Sequence, residues 1–175
     1  ESFIFVFMAA AYDLVVVGAG VVGAATAWSA ARSGARVCLL EQYHNGHDRG
    51  SSHGDGRIFR FAYAEESYAN MMTGALRGWR ELESTTGHRL LEVTGGLDIY
   101  PGDREAQSHK EALQDTYNKA GHSFDVLSSS QLSQRFPQFQ LRGEAQDWEA
   151  MFQPDAGIVR ASLAVQALIE AAVAT

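Results

Sequence analysis

The stretch Asp13-Leu14-Val15-Val16-Val17-Gly18-Ala19-Gly20-Val21-Val22-Gly23 decides the fold. After Asp13, the next four residues form a short, largely β-branched apolar run that suits a strand buried on both faces of a parallel sheet. The glycines fit the pattern G-x-G-x-x-G, which is weak alone and specific where, as here, it follows a strand and opens a helix. Gly18 permits a tight turn, Gly20 lets the backbone approach a pyrophosphate, and Gly23 lets helix and strand pack closely. The helix start, with Ala19, Val21 and Val22 between the glycines, offers N–H groups and a partial positive charge to an anion. The stretch therefore reads as the opening of a Rossmann-type, α/β dinucleotide-binding unit. Glycines that serve only a strand-to-helix turn are the plainer alternative.

Beyond it, Ala24, Ala25, Ala27 and Trp28 suit a helix over residues 21–33 that packs tightly on the sheet, with Gly34 ending it. Residues 36–41 return as the second strand. Glu41 closes that strand near the position, about 20 residues past the glycines, where a carboxylate accepts hydrogen bonds from an adenosine ribose. It would repel a 2′-phosphate, which leaves FAD or NAD; a plain exposed strand end is the other reading. Residues 42–56, with Asn45, Ser51, Ser52, four glycines and three histidines, form a loop long enough to need a function.

The next helix is announced by Tyr68, Met71, Met72, Ala75, Trp79 and Leu82 at helical spacing, and Gly87 closes it. The pattern then predicts a strand at Gly96–Tyr100, a helix at Arg104–Ala120, a strand over 124–127 and a short helix capped by Ser129 or Ser130 and stopped by Pro137. A strand at Glu149–Gln153, a turn over 154–157 and a helix at Ala161–Ala174 complete it. No repeat or low-complexity linker interrupts the chain. Residues 12–87 read as the nucleotide-binding part. Residues 88–175 read as the incomplete start of a strand-bearing substrate domain interleaved with it, cut off in mid-fold.

With 175 residues and 46% apolar content the chain can bury a real core. Fourteen basic against twenty-one acidic side chains, a net charge of −7, argue against nucleic acid or anionic membranes as partners. The single cysteine, Cys38, lies in an apolar run and reads as a buried small hydrophobe. With no internal disulfide, a reducing or peroxisomal compartment fits better than secretion. The apolar residues 1–7 lack a basic flank and are too short to span a bilayer. Met8 is the more natural start, and residues 1–11 read as a disordered or artefactual extension.

Val16-Val17-Gly18-Ala19-Gly20, Leu40-Glu41-Gln42, Arg49-Gly50-Ser51-Ser52-His53-Gly54 and Arg57-Ile58-Phe59-Arg60 together resemble the sarcosine oxidase and pipecolate oxidase group of flavoenzymes. The likeness is in register through Tyr63. It continues more loosely through the Trp79 helix, Thr94-Gly95-Gly96, Gln134-Arg135-Phe136-Pro137 and Pro154-Asp155-Ala156-Gly157. It implies a glutathione-reductase-like parallel sheet and an oxidase of secondary amine amino acids that uses FAD and O2 and releases imine and H2O2. It also implies a monomer, in the peroxisome or cytoplasm. By matching, Ser51, Ser52 and His53 lie against flavin and pyrophosphate, Gln42 and Arg49 complete the cofactor set, Arg57 is a cation beside the flavin ring, and Arg60 meets the substrate carboxylate. The cysteine that bonds the flavin covalently in that family belongs to a half this chain does not contain.

Elementary chemistry supports those roles. A guanidinium presents a planar fork to a carboxylate, and a positive charge stabilises a reduced flavin anion. Solvated charges at a helix start are the competing reading for Arg57 and Arg60. His53 is open between donating to the flavin, tuning its potential and capping its turn. No metal is expected: His44, His47, His88, His109 and His122 lack ligand spacing and read as surface residues, while Trp28, Trp79, Trp148, Met71 and Met72 read as core. Gly56 stands where the family often has a hydroxyl residue before R-I-x-R. An NAD-linked dehydrogenase and an inactive nucleotide-binding fragment are the other functions these residues allow.

Overall fold

The computed structural model describes residues 11–139 and 148–175. Met8 and nearly all of the expected extension lie outside the described residues. The rest forms two compact units: residues 11–55, 84–88 and 161–175 make the first, and residues 56–83, 89–139 and 148–160 the second. The chain crosses between them several times.

In the first unit β1 (Leu14–Val17) pairs in parallel with β2 (Val37–Leu40), Leu14 opposite Val37 and Val17 opposite Leu40. The crossover is α1 (Val21–Arg32), which buries Ala24, Ala27 and Trp28 and packs on α5 (Ala161–Ala174) as well as on the two strands. α5 buries Ala161, Ala164, Ala167 and Ala171 together with Val165 and Leu168, and the alanines on both helices favour close packing. Arg36 forks onto Asp13 with two 3.1 Å bonds and adds its backbone N–H at 2.9 Å, tying the starts of the two strands together.

Burial along β1 alternates: Val16 lies under α1, while Val17 is 83% exposed. The expectation of a strand buried on both faces is corrected to one with a single covered face, since α1 packs on the Val16 side. Cys38 is half-buried.

The second unit is built on two antiparallel sheets. In one, β8 (Gly157–Val159) lies between β3 (Arg57–Phe59) and β4 (Leu91–Val93). Gly157 faces Phe59 on one side and Val93 on the other, and a β-carbon there would sit 2.0 Å from the Glu92 carbonyl oxygen, so no other residue fits. In the other sheet β7 (Glu149–Gln153) is central, between β5 (Gly96–Tyr100) and β6 (Asp125–Ser128). One face of this sheet, with Leu97, Ile99, Leu127, Ala150 and Phe152, packs on Leu132 of α4 (Ser129–Arg135). The opposite face carries Asp98, Tyr100, Glu149, Met151 and Gln153. α3 (Arg104–Ala120) bonds to it through Gln107 and Lys110 to Glu149 and Tyr117 to Gln153.

Several expectations change here. The cap of α4 is Ser128, whose hydroxyl accepts from the Gln131 N–H in a capping box, and not Ser129 or Ser130. α2 (Glu66–Thr86) forms as its periodicity predicts, but it buries Ala69 and Leu82 while Met71 is 60% exposed and Tyr68 is exposed as well. Three-residue β3, β4 and β8 are too short to show alternation and were not anticipated. Among the described residues no helix is long and apolar enough to cross a membrane.

Glu83 on α2 holds β4 in place. One of its oxygens accepts the buried Leu90 and Leu91 N–H groups at 2.7 and 2.9 Å, and the other meets Arg80 at 2.7 Å. Glu83→Ala strands two buried donors and should lower unfolding free energy by about 2 kcal/mol; urea unfolding of Glu83→Ala beside Glu83→Gln, which keeps one acceptor oxygen, measures it.

Candidate functional site

Gly18, at φ 96°, turns the chain out of β1 in a conformation that side chains rarely adopt. A β-carbon at Gly23 would lie 1.8 Å from the Gly18 carbonyl oxygen, so only glycine lets α1 start this close to the turn. The N-cap, Gly20, has no side chain to bond the first amides of α1. Distant residues bond the turn just before it and its first amide instead. Glu41, just past β2, accepts the Ala19 N–H through Oε2 at 2.9 Å, and Ser52 Oγ accepts the Val21 N–H at 3.0 Å. A β-carbon at Gly20 would approach Ser52 Oγ to 3.1 Å, so the second glycine makes room for the loop.

Glu41 also accepts the Tyr43 N–H at 3.1 Å and lies 3.4 Å from His47 Nε2. His47 Nδ1 accepts the Arg49 N–H at 2.9 Å, so the neutral ring carries its proton on the nitrogen that faces Glu41. The Ala19 and Tyr43 amides, with a smaller part from His47, hold the Glu41 carboxyl down at about 2. It is therefore ionised throughout the physiological range. The surface role expected for His47 is corrected: the Asn45-Gly46 turn, with Gly46 at φ 84°, brings its ring back against the strand end. His122 is likewise half-buried, 4.1 Å from the Phe61 ring.

These groups line a cleft of about 580 Å³. Gly18, Ala19, Gly20, Glu41, Gln42, Arg49, Ser51, Ser52 and His53 all border it. Val21 contributes only its amide, Val22 points to solvent, and Gly23 acts through its missing side chain. His53 Nδ1 donates to the Gly50 carbonyl at 2.7 Å, which makes it a cap of its own turn and directs Nε2 elsewhere. Ser162 of α5 also borders the cleft and clasps Gly54: its Oγ accepts the Gly54 N–H at 2.9 Å, and its N–H donates to the Gly54 carbonyl at 3.1 Å. A separation of 108 residues leaves no sequence signal for that clasp. An ionised carboxylate at a strand end, a helix start walled by glycines and a hydroxyl-rich loop fit the ribose and pyrophosphate of a dinucleotide.

Arg57 and Arg60 belong to the second unit. Arg57 lies on β3, exposed, with Nη1 donating to the Gly56 carbonyl at 2.7 Å. Arg60 follows β3, with Nη1 3.6 Å from Asp98 Oδ1 and its guanidinium 5.6 Å from the centre of the Tyr63 ring. Neither starts a helix, so that reading of the pair is corrected. Asp98 was not anticipated; its one sequence signal is a carboxylate in the middle of an otherwise apolar strand. Burial pushes its carboxyl up, against the downward pull of Arg60 and Gln153. Among the described residues no three His, Cys, Asp or Glu side chains gather as a metal site.

Residues 13–175 match the family model described as FAD dependent oxidoreductase. The chain is 38% identical to peroxisomal sarcosine oxidase of Homo sapiens over 161 residues, 91% of this chain and 40% of that one. It is 31% identical to N-methyl-L-tryptophan oxidase of Yersinia pestis over 161 residues, 91% of this chain and 42% of the other. The solved structure of NikD, an unusual amino acid oxidase essential for nikkomycin biosynthesis, superposes with a TM-score of 0.77 at 32% identity, covering 93% of this chain and 41% of that one. The chain thus spans about two fifths of the length of these relatives. On that match, over the residues that build the glycine turn, the Glu41 strand end and the cleft, the chain belongs to the family of FAD dependent oxidoreductases.

Proposed function

We propose that the whole protein oxidises the C–N bond of a secondary amine amino acid, sarcosine- or pipecolate-like, with O2 as acceptor. As the C=N bond forms, the substrate gives up two electrons and two protons, and dioxygen takes up both to leave as hydrogen peroxide. The observation that carries the reading is the ionised Glu41 bonded to the Ala19 amide at the foot of α1, bordering a cleft beside a helix start that Gly23, where a β-carbon would meet the Gly18 carbonyl oxygen at 1.8 Å, holds close to the strand end. When bound, FAD supplies a two-electron acceptor that dioxygen can reoxidise.

The chain's own residues bind and orient. Glu41 accepts from a ribose hydroxyl, and the α1 N-terminus with Ser51 and Ser52 donates to the pyrophosphate. Gln42, Arg49 and His53, on the same cleft, are assigned to the cofactor as well. Arg60 forks onto the substrate carboxylate, and Arg57 provides positive charge near the ring, which favours negative charge developing there. The first unit is thereby assigned to the cofactor and the second to the start of the substrate domain.

Support for the substrate class comes from the relatives, whose names are those of oxidases of N-methylated amino acids. The human relative is peroxisomal, a compartment that suits a peroxide-forming reaction. A nicotinamide-linked dehydrogenase is not favoured by the family match.

The purified full-length protein should show a visible flavin spectrum and release peroxide with sarcosine or L-pipecolate. Absence of flavin even after FAD addition would overturn the oxidase reading in favour of an inactive nucleotide-fold protein. A second test concerns Glu41, whose carboxyl is depressed in the folded chain. Its contribution to the order of the glycine turn is complete above the ordinary value of 4.5 and is lost as pH falls toward about 2. Carboxyl NMR should give a midpoint near 2; a midpoint near 4.5 would mean that the Ala19 and Tyr43 contacts are not formed in solution.

A further inference from the structure

The polar face of the β5–β7–β6 sheet contains a chain of hydrogen bonds that the cofactor cleft does not use. The Tyr117 hydroxyl donates to Gln153 Oε1, and Gln153 Nε2 donates to Asp98 Oδ2. Tyr117 and Gln153 are each only 1% exposed, so neither amide nor hydroxyl is free to rotate toward water. The second Asp98 oxygen, Oδ1, lies 3.6 Å from Arg60 Nη1. We propose that Asp98 is a positioning residue for Arg60: the Tyr117–Gln153–Asp98 relay holds one edge of the guanidinium so that the other edge meets a substrate carboxylate. The proposal rests on the reading of Arg60 as carboxylate ligand.

Stability alone does not account for this arrangement. The Asp98 side chain is 25% exposed, and burial of a carboxylate is unfavourable enough that an apolar side chain in mid-strand often serves a fold equally well. The relay instead provides direction. Gln153 is fixed at both ends, by Tyr117 and Asp98, so Oδ2 is committed and Oδ1 alone is turned to the arginine. The Arg60 side chain is 46% exposed, so a guanidinium with five N–H donors keeps donors toward solvent while one edge is tied. The Tyr63 ring, 5.6 Å from the guanidinium carbon, bounds it on another side. The helix that carries Tyr117 is tied to the same segment, because the hydroxyl of the preceding Thr116 donates to the Ala64 carbonyl at 3.0 Å. Strand, helix and loop thus bias the arginine toward one orientation before any ligand arrives, which lowers the ordering needed on binding.

Acetate binding by calorimetry to the FAD-loaded full-length protein tests this, with KM and kcat for sarcosine or L-pipecolate measured alongside. Asp98→Asn should weaken acetate about tenfold and raise KM by a similar factor while kcat stays near wild type. Tyr117→Phe, which keeps the ring and removes the relay's last donor, should shift both the same way by about threefold. Arg60→Gln should weaken acetate more than either. If Arg60→Gln removes acetate binding while Asp98→Asn leaves it unchanged or tightens it, the positioning role is overturned and the Arg60 assignment stands. No effect of Arg60→Gln on acetate or KM overturns both. Should Asp98→Asn fail to fold, unchanged acetate affinity in Tyr117→Phe overturns the positioning role by itself.

Discussion

One missing carbon atom sets the geometry of the first unit. With any side chain at residue 23 the β-carbon would fall 1.8 Å from the Gly18 carbonyl oxygen, and α1 would have to start farther from β1. Because it starts where it does, the Ala19 amide lies within 2.9 Å of Glu41, and the Val21 amide within 3.0 Å of Ser52. The strand end, the helix start and the loop after β2 are therefore one bonded assembly rather than three neighbours. Its electrostatics follow: an ionised carboxylate is stabilised by the Ala19 N–H beside the positive end of α1 and by the Tyr43 N–H of its own loop.

The second unit divides its chemistry by strand parity. Alternate residues of β5 and β7 point to opposite faces, so Leu97, Ile99, Ala150 and Phe152 build an apolar layer while Asp98, Tyr100, Met151 and Gln153 turn to α3. A one-residue slip of β7 would exchange the two sets and break both layers. Lys110 on Glu149 and Tyr117 on Gln153 fix α3 over the polar face at two points along the helix. The polar side is thus as determined in register as the apolar one.

The parts legible in the sequence are those where local pattern and tertiary role coincide. The run before Gly18, the small residues of α1 and the acidic end of β2 each declare themselves within a few positions. The helices α2, α3 and α5 carry long periodic patterns, and α3 has its own signals in Asp103, which caps it, and Gly121, at φ 72°, which ends it. What escaped is either too short or too distant. Three residues of β3 cannot show a period of two, so the arginines of R-I-x-R gave no sign of standing on and after a strand. Ser128 lost the cap to its neighbours because three adjacent serines offer the same chemistry, and only the chain path out of β6 selects among them. Asp98 was visible as a residue and silent as a partner, since Gln153 reaches it through the pairing of β5 with β7 and Arg60 through an ion pair from a different sheet.

The Ser162 clasp on Gly54 carries a consequence for how the molecule is made. During synthesis from the N-terminus, β1, α1 and β2 emerge together and can pair through short-range contacts, with little chain entropy lost in closing them. The clasp, like the pairing of β3 and β4 with β8, joins segments far apart in the chain and must wait for the last helix and the strand before it. Until then the loop bearing Ser51, Ser52 and His53 has the Ser52 bond to Val21 without the Ser162 clasp. The cleft therefore matures in two stages: a floor that forms early and locally, and a wall completed only when distant chain arrives.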